Sequence, residues 1–231
     1  AAALALADRG GRVRLVERRS RLGGQLDIAA MPSGKEPVGW YAAWLEAALR
    51  ASSVDLVLGR DAEPTDLAGV ERVVWAAGSR PVAMHLPGDE ALPHLPLDEA
   101  MRHPERAGAH PVVVGGGAGG SEGAHWLAER GSRVVLLEAR RKIAANLLPS
   151  LRYHLQHELE AAGVLTYVQV REARAEGSTV FFSTRRDGDV ELEGITALVE
   201  AVGRRALAPE ADLLAGWNGE LLILGDAAEP A

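Results

Sequence analysis

Apolar and polar positions alternate along the chain in two recurring rhythms, one with the period of a helix and one with that of a strand. Residues 1–9 are rich in Ala and Leu and run to Gly10-Gly11, which predicts a helix and its stop. Residues 12–16 alternate and reach Glu17, as a strand would. Gly23-Gly24 and Pro32-Ser33-Gly34 predict a loop. Helical periodicity returns over 38–51, carrying Trp40, Trp44, Leu45 and Leu49. Short apolar runs at 54–58 and 72–77 suit strands. A second series follows: a strand at 111–114, a glycine loop at 115–120, a helix over 121–130 stopped by Gly131, and a strand over 133–138. A helix over 149–162 has Pro149 in its first turn. Residues 164–170, 179–184 and 190–192 predict a meander, with Asp187-Gly188 as a hairpin turn. Residues 197–202 are apolar and β-capable, and a last strand at 221–224 runs into Gly225-Asp226. Helices and strands that alternate in this way imply an α/β fold.

The order of elements divides the chain. We expect a first unit from residues 1–83 and 204–231, and a second from 111–203 inserted into it. Residues 84–110 are expected as a connection, since Pro87, Pro93, Pro96 and Pro104 fall in or beside a loop-rich stretch. Length permits this, because 231 residues suffice for one large domain or two small ones. Apolar residues at 47% and charged residues at 25% are ordinary for a globular chain. Against 25 Lys and Arg stand 32 Asp and Glu, a net charge of −7, which argues against a general nucleic-acid binder. There is no cysteine, so the chain has no disulfide, thiolate nucleophile or iron–sulfur ligand of its own. No apolar run approaches the about 18 residues of a membrane span. Residues 1–7 lack a basic leader and read as the end of a helix, not as a signal peptide, so a cytoplasmic setting is expected.

The chemistry lies in a repeat. Gly115-Gly116-Gly117-Ala118-Gly119-Gly120 is followed by a helix and then by Arg133-Val134-Val135-Leu136-Leu137-Glu138. Gly115, Gly117 and Gly120 occupy the G-x-G-x-x-G positions between a strand and a helix, the pattern that binds a dinucleotide. The first glycine permits the turn, the second lets backbone approach a pyrophosphate, and the third lets helix and strand pack closely. Glu138 ends the next strand, where a carboxylate accepts hydrogen bonds from ribose hydroxyls. That favours NAD(H) over NADP. The basic run Arg140-Arg141-Lys142 is read as a solvated loop for the same reason. Residues 1–17 share the helix, turn, strand and acidic end of this grammar, without the glycine loop. The chain is therefore expected to begin inside a dinucleotide-binding unit, with the first strand and phosphate loop before Ala1.

Further motifs narrow the reading. Leu22-Gly23-Gly24-Gln25-Leu26 follows the first acidic strand end, and Pro32-Ser33-Gly34-Lys35-Glu36 comes next. Ala76-Ala77-Gly78-Ser79-Arg80-Pro81 resembles the ATGSRP turn of two-dinucleotide flavoproteins, and Ala201-Val202-Gly203-Arg204 its counterpart after the second unit. Leu224-Gly225-Asp226 resembles their late GD motif. In this order the motifs resemble the C-terminal FAD/NAD(P)-binding region of the NADH:flavin oxidoreductases, a family that includes 2,4-dienoyl-CoA reductase and trimethylamine dehydrogenase. The resemblance implies two Rossmann-like units and the cofactors FAD and NAD(H). It places FMN and an iron–sulfur cluster on a barrel domain upstream or in a partner, and it leads past residue 231 into a helix. It also assigns residues. Glu17 would hold the adenosine ribose of FAD, Gly24, Gln25 and Lys35 would line the cofactor, and Ala62 would face the adenine. Gly78 and Gly203 would mark the domain crossings, and Asp226 would bind the ribityl chain.

The function implied is the electron-input half of a flavin-dependent oxidoreductase, with hydride passing between NAD(P)H and FAD and electrons leaving for a centre outside the chain. The alternative is a nucleotide-binding structural module that holds ADP without turnover, as the resemblance to trimethylamine dehydrogenase allows. No catalytic acid or base is expected, since hydride transfer needs none. No metal ligands are expected either: His154 and His157 sit three apart on a predicted helix with no third ligand in register, and read as surface residues. Ser121 is not in a G-x-S-x-G elbow. Trp40, Trp44 and Trp126 are expected in the core.

Overall fold

The computed structural model describes residues 1–230. It begins with α1 (Ala2–Ala7), β1 (Arg14–Glu17), α2 (Leu26–Ala29), α3 (Glu36–Ala51), β2 (Asp55–Leu58), β3 (Arg72–Trp75) and β4 (Ser79–Pro81). Next come β5 (His94–Pro96), α4 (Leu97–Arg102), α5 (Pro104–Ala107), β6 (Pro111–Val114), α6 (Ala118–Glu129), β7 (Val135–Glu138), α7 (Pro149–Ala161) and β8 (Leu165–Val168). The remaining strands are β9 (Arg171–Glu176), β10 (Thr179–Thr184), β11 (Gly188–Leu192), β12 (Ala197–Glu200), β13 (Arg204–Ala206) and β14 (Glu220–Ile223). Two compact units result, Ala1–Arg80 with Arg205–Ala231, and Pro81–Arg204. No helix among the described residues is long and apolar enough to cross a membrane.

The second unit is built on a five-stranded parallel sheet in the order β5-β12-β6-β7-β8. Strands β7 and β12 are buried at every position, as expected of parallel strands covered on both faces. Strand alternation decides what each face meets. Val113, Leu136 and Val199 pack with Ala124 and Leu127 of α6 and Leu155 and Leu159 of α7. Val112, Val135, Leu137 and Leu198 face the other way, onto Ala175, Val180 and Phe182 of the antiparallel sheet β11-β10-β9. A layer of helices and a small sheet thus sandwich the parallel strands.

The first unit has less sheet. Strand β1 pairs in parallel with β2, and β14 with β3, as separate two-stranded sheets. Helix α3 carries Pro37 in its first turn and an Arg50–Glu46 ion pair of 2.6 Å in its last. After β2, Asp66 accepts from Arg60 through both oxygens, each at 2.7 Å. Those hydrogen bonds, assisted by the Glu63 N–H and by the charges of Arg60 and Arg14, hold its carboxyl at about 2.

Several expectations need correction. Residues 84–110 are not a bare connection: they form β5, α4 and α5 within the second unit, with Leu95 and Ala100 in its core. The prolines that suggested a loop sit at element ends, Pro96 capping α4 and Pro104 opening α5, where a missing N–H costs nothing. The run 164–170 is not part of the meander. Its core, β8, extends the parallel sheet beside β7, and the meander's first strand is β9 instead. Helix α6 begins at Ala118, not Ser121, so the third glycine lies inside its first turn. Trp40 and Trp44 are 71% and 60% exposed, outside any core. Trp126 is half-buried and donates its indole N–H to the Met101 carbonyl.

Two outcomes follow from this architecture. Amide exchange in β6, a central strand with Val112 and Val113 wholly buried, should be at least roughly tenfold slower than in β1, which among the described residues pairs with β2 alone. Mass-resolved hydrogen exchange checks this, and equal protection would contradict it. Asp66→Asn should lower stability by about 1 kcal/mol near neutral pH, a small figure because Arg60 is partly exposed. A depressed carboxyl stabilises above its ordinary range and loses that contribution as pH falls. The gap between parent and variant should therefore shrink from about pH 4 down to about 2 in denaturant titrations.

Candidate functional site

The glycine loop joins β6 to α6. Gly115 turns at φ +110, and its N–H donates to the Leu137 carbonyl at 2.8 Å. A Cβ on Gly115 would strike the Ala201 carbonyl, and one on Gly120 would strike the Gly115 carbonyl. One on Gly116 would lie 2.8 Å from Glu138 Cβ and 3.0 Å from Ile143 Cγ2. Gly117 differs from all three. Its backbone is ordinary and extended, φ −64 and ψ 178, and a Cβ there would meet nothing within 4 Å. Gly117 also precedes α6 without a side-chain cap, and the first bond back into the helix is Ser121 N–H to the Gly117 carbonyl. The N–H groups of Ala118, Gly119 and Gly120 belong to the orphaned first turn, the anion-attracting end of a helix. Of these, Ala118 N–H donates to Asn146 Oδ1 at 3.2 Å.

The loop is braced from behind. Glu138 is buried at the end of β7, where Oε2 accepts the Gly116 N–H at 2.9 Å and Oε1 the Arg140 N–H at 2.6 Å. The Gly116 carbonyl accepts from Ala144 N–H at 2.6 Å, and Ala144 stands in the left-handed region at φ +45. A buried alanine held there is strained, and such strain gathers around functional loops. Sequence reasoning missed Ala144 and Asn146; neither type advertises a bracing role.

In the first unit three distant segments meet. Gln25 Nε2 lies 3.2 Å from Ser79 Oγ and 3.2 Å from Asp226 Oδ2. Ser79 Oγ donates to Asp226 Oδ2 at 3.1 Å. Gly78, at φ +77, passes so close that a Cβ would lie 3.2 Å from Gln25 Nε2. Gln25, Gly78 and Asp226 are thus brought together, with Ser79 a buried partner that was quoted only as part of a motif. Glu17 accepts the Arg19 N–H at 2.8 Å, the same two-residue bond that Glu138 makes with Arg140. Gly24, at φ +56, accepts from Arg19 through its carbonyl. Lys35 stands at the N-cap position of α3, and Ala62 follows β2 in the loop braced by Asp66. Gly203, at φ +129, accepts the Val82 N–H where the second unit closes.

The structure also gathers His85, Asp89 and His94, which sequence reasoning passed over because the first two lie in a loop of no regular period. The expected surface pair behaves as expected: His154 and His157 are exposed and ion-paired to Glu158 and Glu160 of their own helix.

Two Rossmann-like units, the second inserted in the first and each with an acidic strand end, define a two-dinucleotide flavoprotein fold. A family model described as pyridine nucleotide-disulphide oxidoreductase matches residues 1–222, and the chain belongs to that family. It is 33% identical over 173 residues to an NADH oxidase of Thermoanaerobacter brockii, covering 71% of this chain and 26% of the relative. It is 30% identical over 226 residues to a bilirubin reductase of Mediterraneibacter gnavus, covering 96% and 35%. The chain therefore spans only 26–35% of these relatives. Among solved structures, a 2-naphthoyl-CoA reductase complex matches with a TM-score of 0.88 at 20% identity, over 99% of this chain and 35% of that one. Histamine dehydrogenase from Rhizobium sp. 4-9 matches with a TM-score of 0.84 at 22% identity, over 100% and 39%. At these identities the structures show the fold, and both are much longer chains.

The glycines separate in a testable way. Gly120→Ala forces a side chain against the Gly115 carbonyl and should cost about 1–3 kcal/mol, read as a lower denaturation midpoint. Gly117→Val enters open space and should stay within about 0.5 kcal/mol of the parent.

Proposed function

We propose that this chain is the electron-input section of a flavin-dependent oxidoreductase. Its second unit would hold a nicotinamide nucleotide, its first unit would hold part of an FAD site, and electrons would leave for a centre outside these residues. The observation that carries the reading is Gly117. Its dihedrals suit any residue and the space beside it is open, so nothing among the described residues requires glycine there. A molecule lying against the helix N-terminus does require it.

The residues present fit such a molecule. Gly117 admits a pyrophosphate, and the first-turn N–H groups of α6 would face it. The Glu138 carboxylate already has two backbone donors, and a carboxylate has about four acceptor positions, so it retains capacity for ribose hydroxyls. Its buried negative charge would repel a 2′-phosphate, which supports NADH over NADPH. In the first unit, Gln25, Ser79 and Asp226 present amide, hydroxyl and carboxylate groups from one hydrogen-bonded cluster, with Gly78 leaving room beside it. Those groups suit a polyol such as the ribityl chain. Glu17 would face the ribose of that cofactor, Gly24, Lys35 and Ala62 its edge, and Gly203 would keep the crossing open. The open edges of β1 and β3 would take a further parallel strand from outside this chain, and with it a phosphate loop.

When bound, the two cofactors supply the redox chemistry, a two-electron hydride exchange. The protein's part is to bind, orient and set the local charge. With no cysteine in the chain, no redox disulfide here can carry the electrons onward. An FMN or iron–sulfur centre on an additional domain would receive them, in keeping with the greater length of the relatives. The names of those relatives, an NADH oxidase and a bilirubin reductase, support reductive turnover over a purely structural ADP module. We take the setting to be the cytoplasm.

Calorimetric titration with NADH and NADPH tests the reading. NADH should bind tighter by roughly ten- to hundred-fold, equivalent to about 1–3 kcal/mol. Gly117→Val should abolish binding without changing the unfolding midpoint. Unchanged affinity in that variant, or equal affinity for both nucleotides in the parent, would overturn it.

A further inference from the structure

We propose that His85, Asp89 and His94 form a site for a divalent first-row transition metal such as Zn²⁺ in the second unit, with Glu200 as the carboxylate that orients His94. The candidate ligand atoms of the three residues all lie within 4.8 Å of one another. His94 Nε2 stands 3.1 Å from Asp89 Oδ2, and His85 Nδ1 stands 3.8 Å from Asp89 Oδ1. Zinc bonds of about 2.0–2.1 Å in a tetrahedron set the ligands roughly 3.3 Å apart. The His94–Asp89 separation of 3.1 Å already matches such an edge, and His85, set against the other Asp89 oxygen, lies within 4.8 Å of both partners. His85, with its side chain 76% exposed, is the ligand free to complete it. The fourth position is left to water.

Two further observations point to a cation. The first is the support behind His94. Its Nδ1 lies 3.2 Å from Glu200 Oε1, so the imidazole can donate there and turn the Nε2 lone pair toward Asp89. A ligating histidine characteristically gives its other ring N–H to a carboxylate, which fixes tautomer and orientation. The second is charge. Asp89 and Glu200 are only 4% and 6% exposed, and no Lys or Arg reaches either among the described residues. Apart from the histidines, they receive only the N–H groups of Leu86 and Met84. These two buried carboxylates have no permanently charged side chain beside them among the described residues, and burying charge is costly unless it is paired. A divalent ion supplies the missing charge.

The backbone holds most of this set in place. Asp89 sits in a turn closed by Leu92 N–H to the Asp89 carbonyl at 2.9 Å, and the Pro87 carbonyl accepts the Ala175 N–H at 2.8 Å. His94 opens β5, in register with Leu198 of the strand that ends at Glu200. A bound ion would clip the 85–89 turn to the edge of the parallel sheet. His154 and His157 provide the natural control, being an exposed histidine pair already matched to helix carboxylates.

The full chain should bind one equivalent of Zn²⁺, raise its melting temperature, and show a visible d–d band when Co²⁺ is used instead. His85→Ala, on an exposed side chain, should weaken Zn²⁺ at least tenfold while leaving the metal-free melting temperature unchanged. Glu200→Gln should weaken it by roughly ten- to hundred-fold. A His154→Ala/His157→Ala double variant should bind as the parent does. No stoichiometric binding at micromolar Zn²⁺, parent-like affinity in His85→Ala, or loss of the bound ion in the double variant would each overturn the proposal. Nucleotide titration is a separate measurement, so failure here leaves the reading of the glycine loop untouched.

Discussion

The backbone of Gly115 runs so close to Ala201 and to Gly120 that neither glycine has room for a side chain, and the second unit depends on that approach. It requires three chain segments to converge: the end of β6, the first turn of α6 and the end of β12. The parallel register delivers them, with Glu200 opposite Val114, and the Ala201 N–H then bonds the Val114 carbonyl. Buried strands on either side supply the stiffness. Because α6 is drawn this close, its amino end is aimed across the top of β6, where the first-turn N–H groups lack helical partners. The packing need and the unpartnered helix amino end therefore have one cause. Gly117 is exempt from this packing, since a Cβ there would meet nothing within 4 Å.

The first unit works by a different physical means. Its tightest glycine contact, Gly219 against Trp217 and the Glu71 carbonyl, lies away from Gln25, which is held instead in a small polar network. Gln25, Ser79 and Asp226 come from segments up to 201 positions apart, and each satisfies another in a partly buried place. The late turn carrying Asp226 is a short 3-10 segment whose cap is Leu224, so Asp226 is not spent on capping its own helix. Its carboxylate turns to Gln25 and Ser79 instead. Polar side chains that satisfy one another in this way hold a partly buried cluster in one arrangement.

Legibility in the sequence followed the size of the local signal. The strands β6, β7 and β12 were readable because both of their faces are apolar, and the glycine loop because its neighbours repeat the strand–turn–helix grammar. Strand β9 was not, since its inward positions are Ala173 and Ala175, too small to stand out among Arg and Glu. Strand β5 was hidden by prolines, although Pro93 precedes it, Pro96 is its last residue and Leu95 carries its burial. Helical spacing on α3 could not reveal that Trp40 and Trp44 face outward, because period gives a stripe and not the side it lies on. The Gln25 trio was legible one residue at a time through resemblance, whereas its mutual contacts are a property of the fold. His85, Asp89 and His94 carried no periodic signal at all.

The two acidic strand ends show how one local rule yields two states of readiness. Glu17 and Glu138 each accept the N–H two residues ahead, which orients the carboxylate at the tip of its strand. Glu138 is further held by the Gly116 N–H, and Gly116 in turn is held by Ala144 from the opposite side. Its position is set by the protein, so little ordering is left for a ligand to impose, and preorganisation of that kind lowers the cost of binding. Glu17 has the first bond only; among the described residues no glycine loop holds its second oxygen. The same residue in the same local frame is therefore rigid in one unit and half-determined in the other. The difference lies in the loop, not in the glutamate. In the second unit the glycine loop fixes the acidic strand end from both sides, while in the first the strand end is fixed from one side.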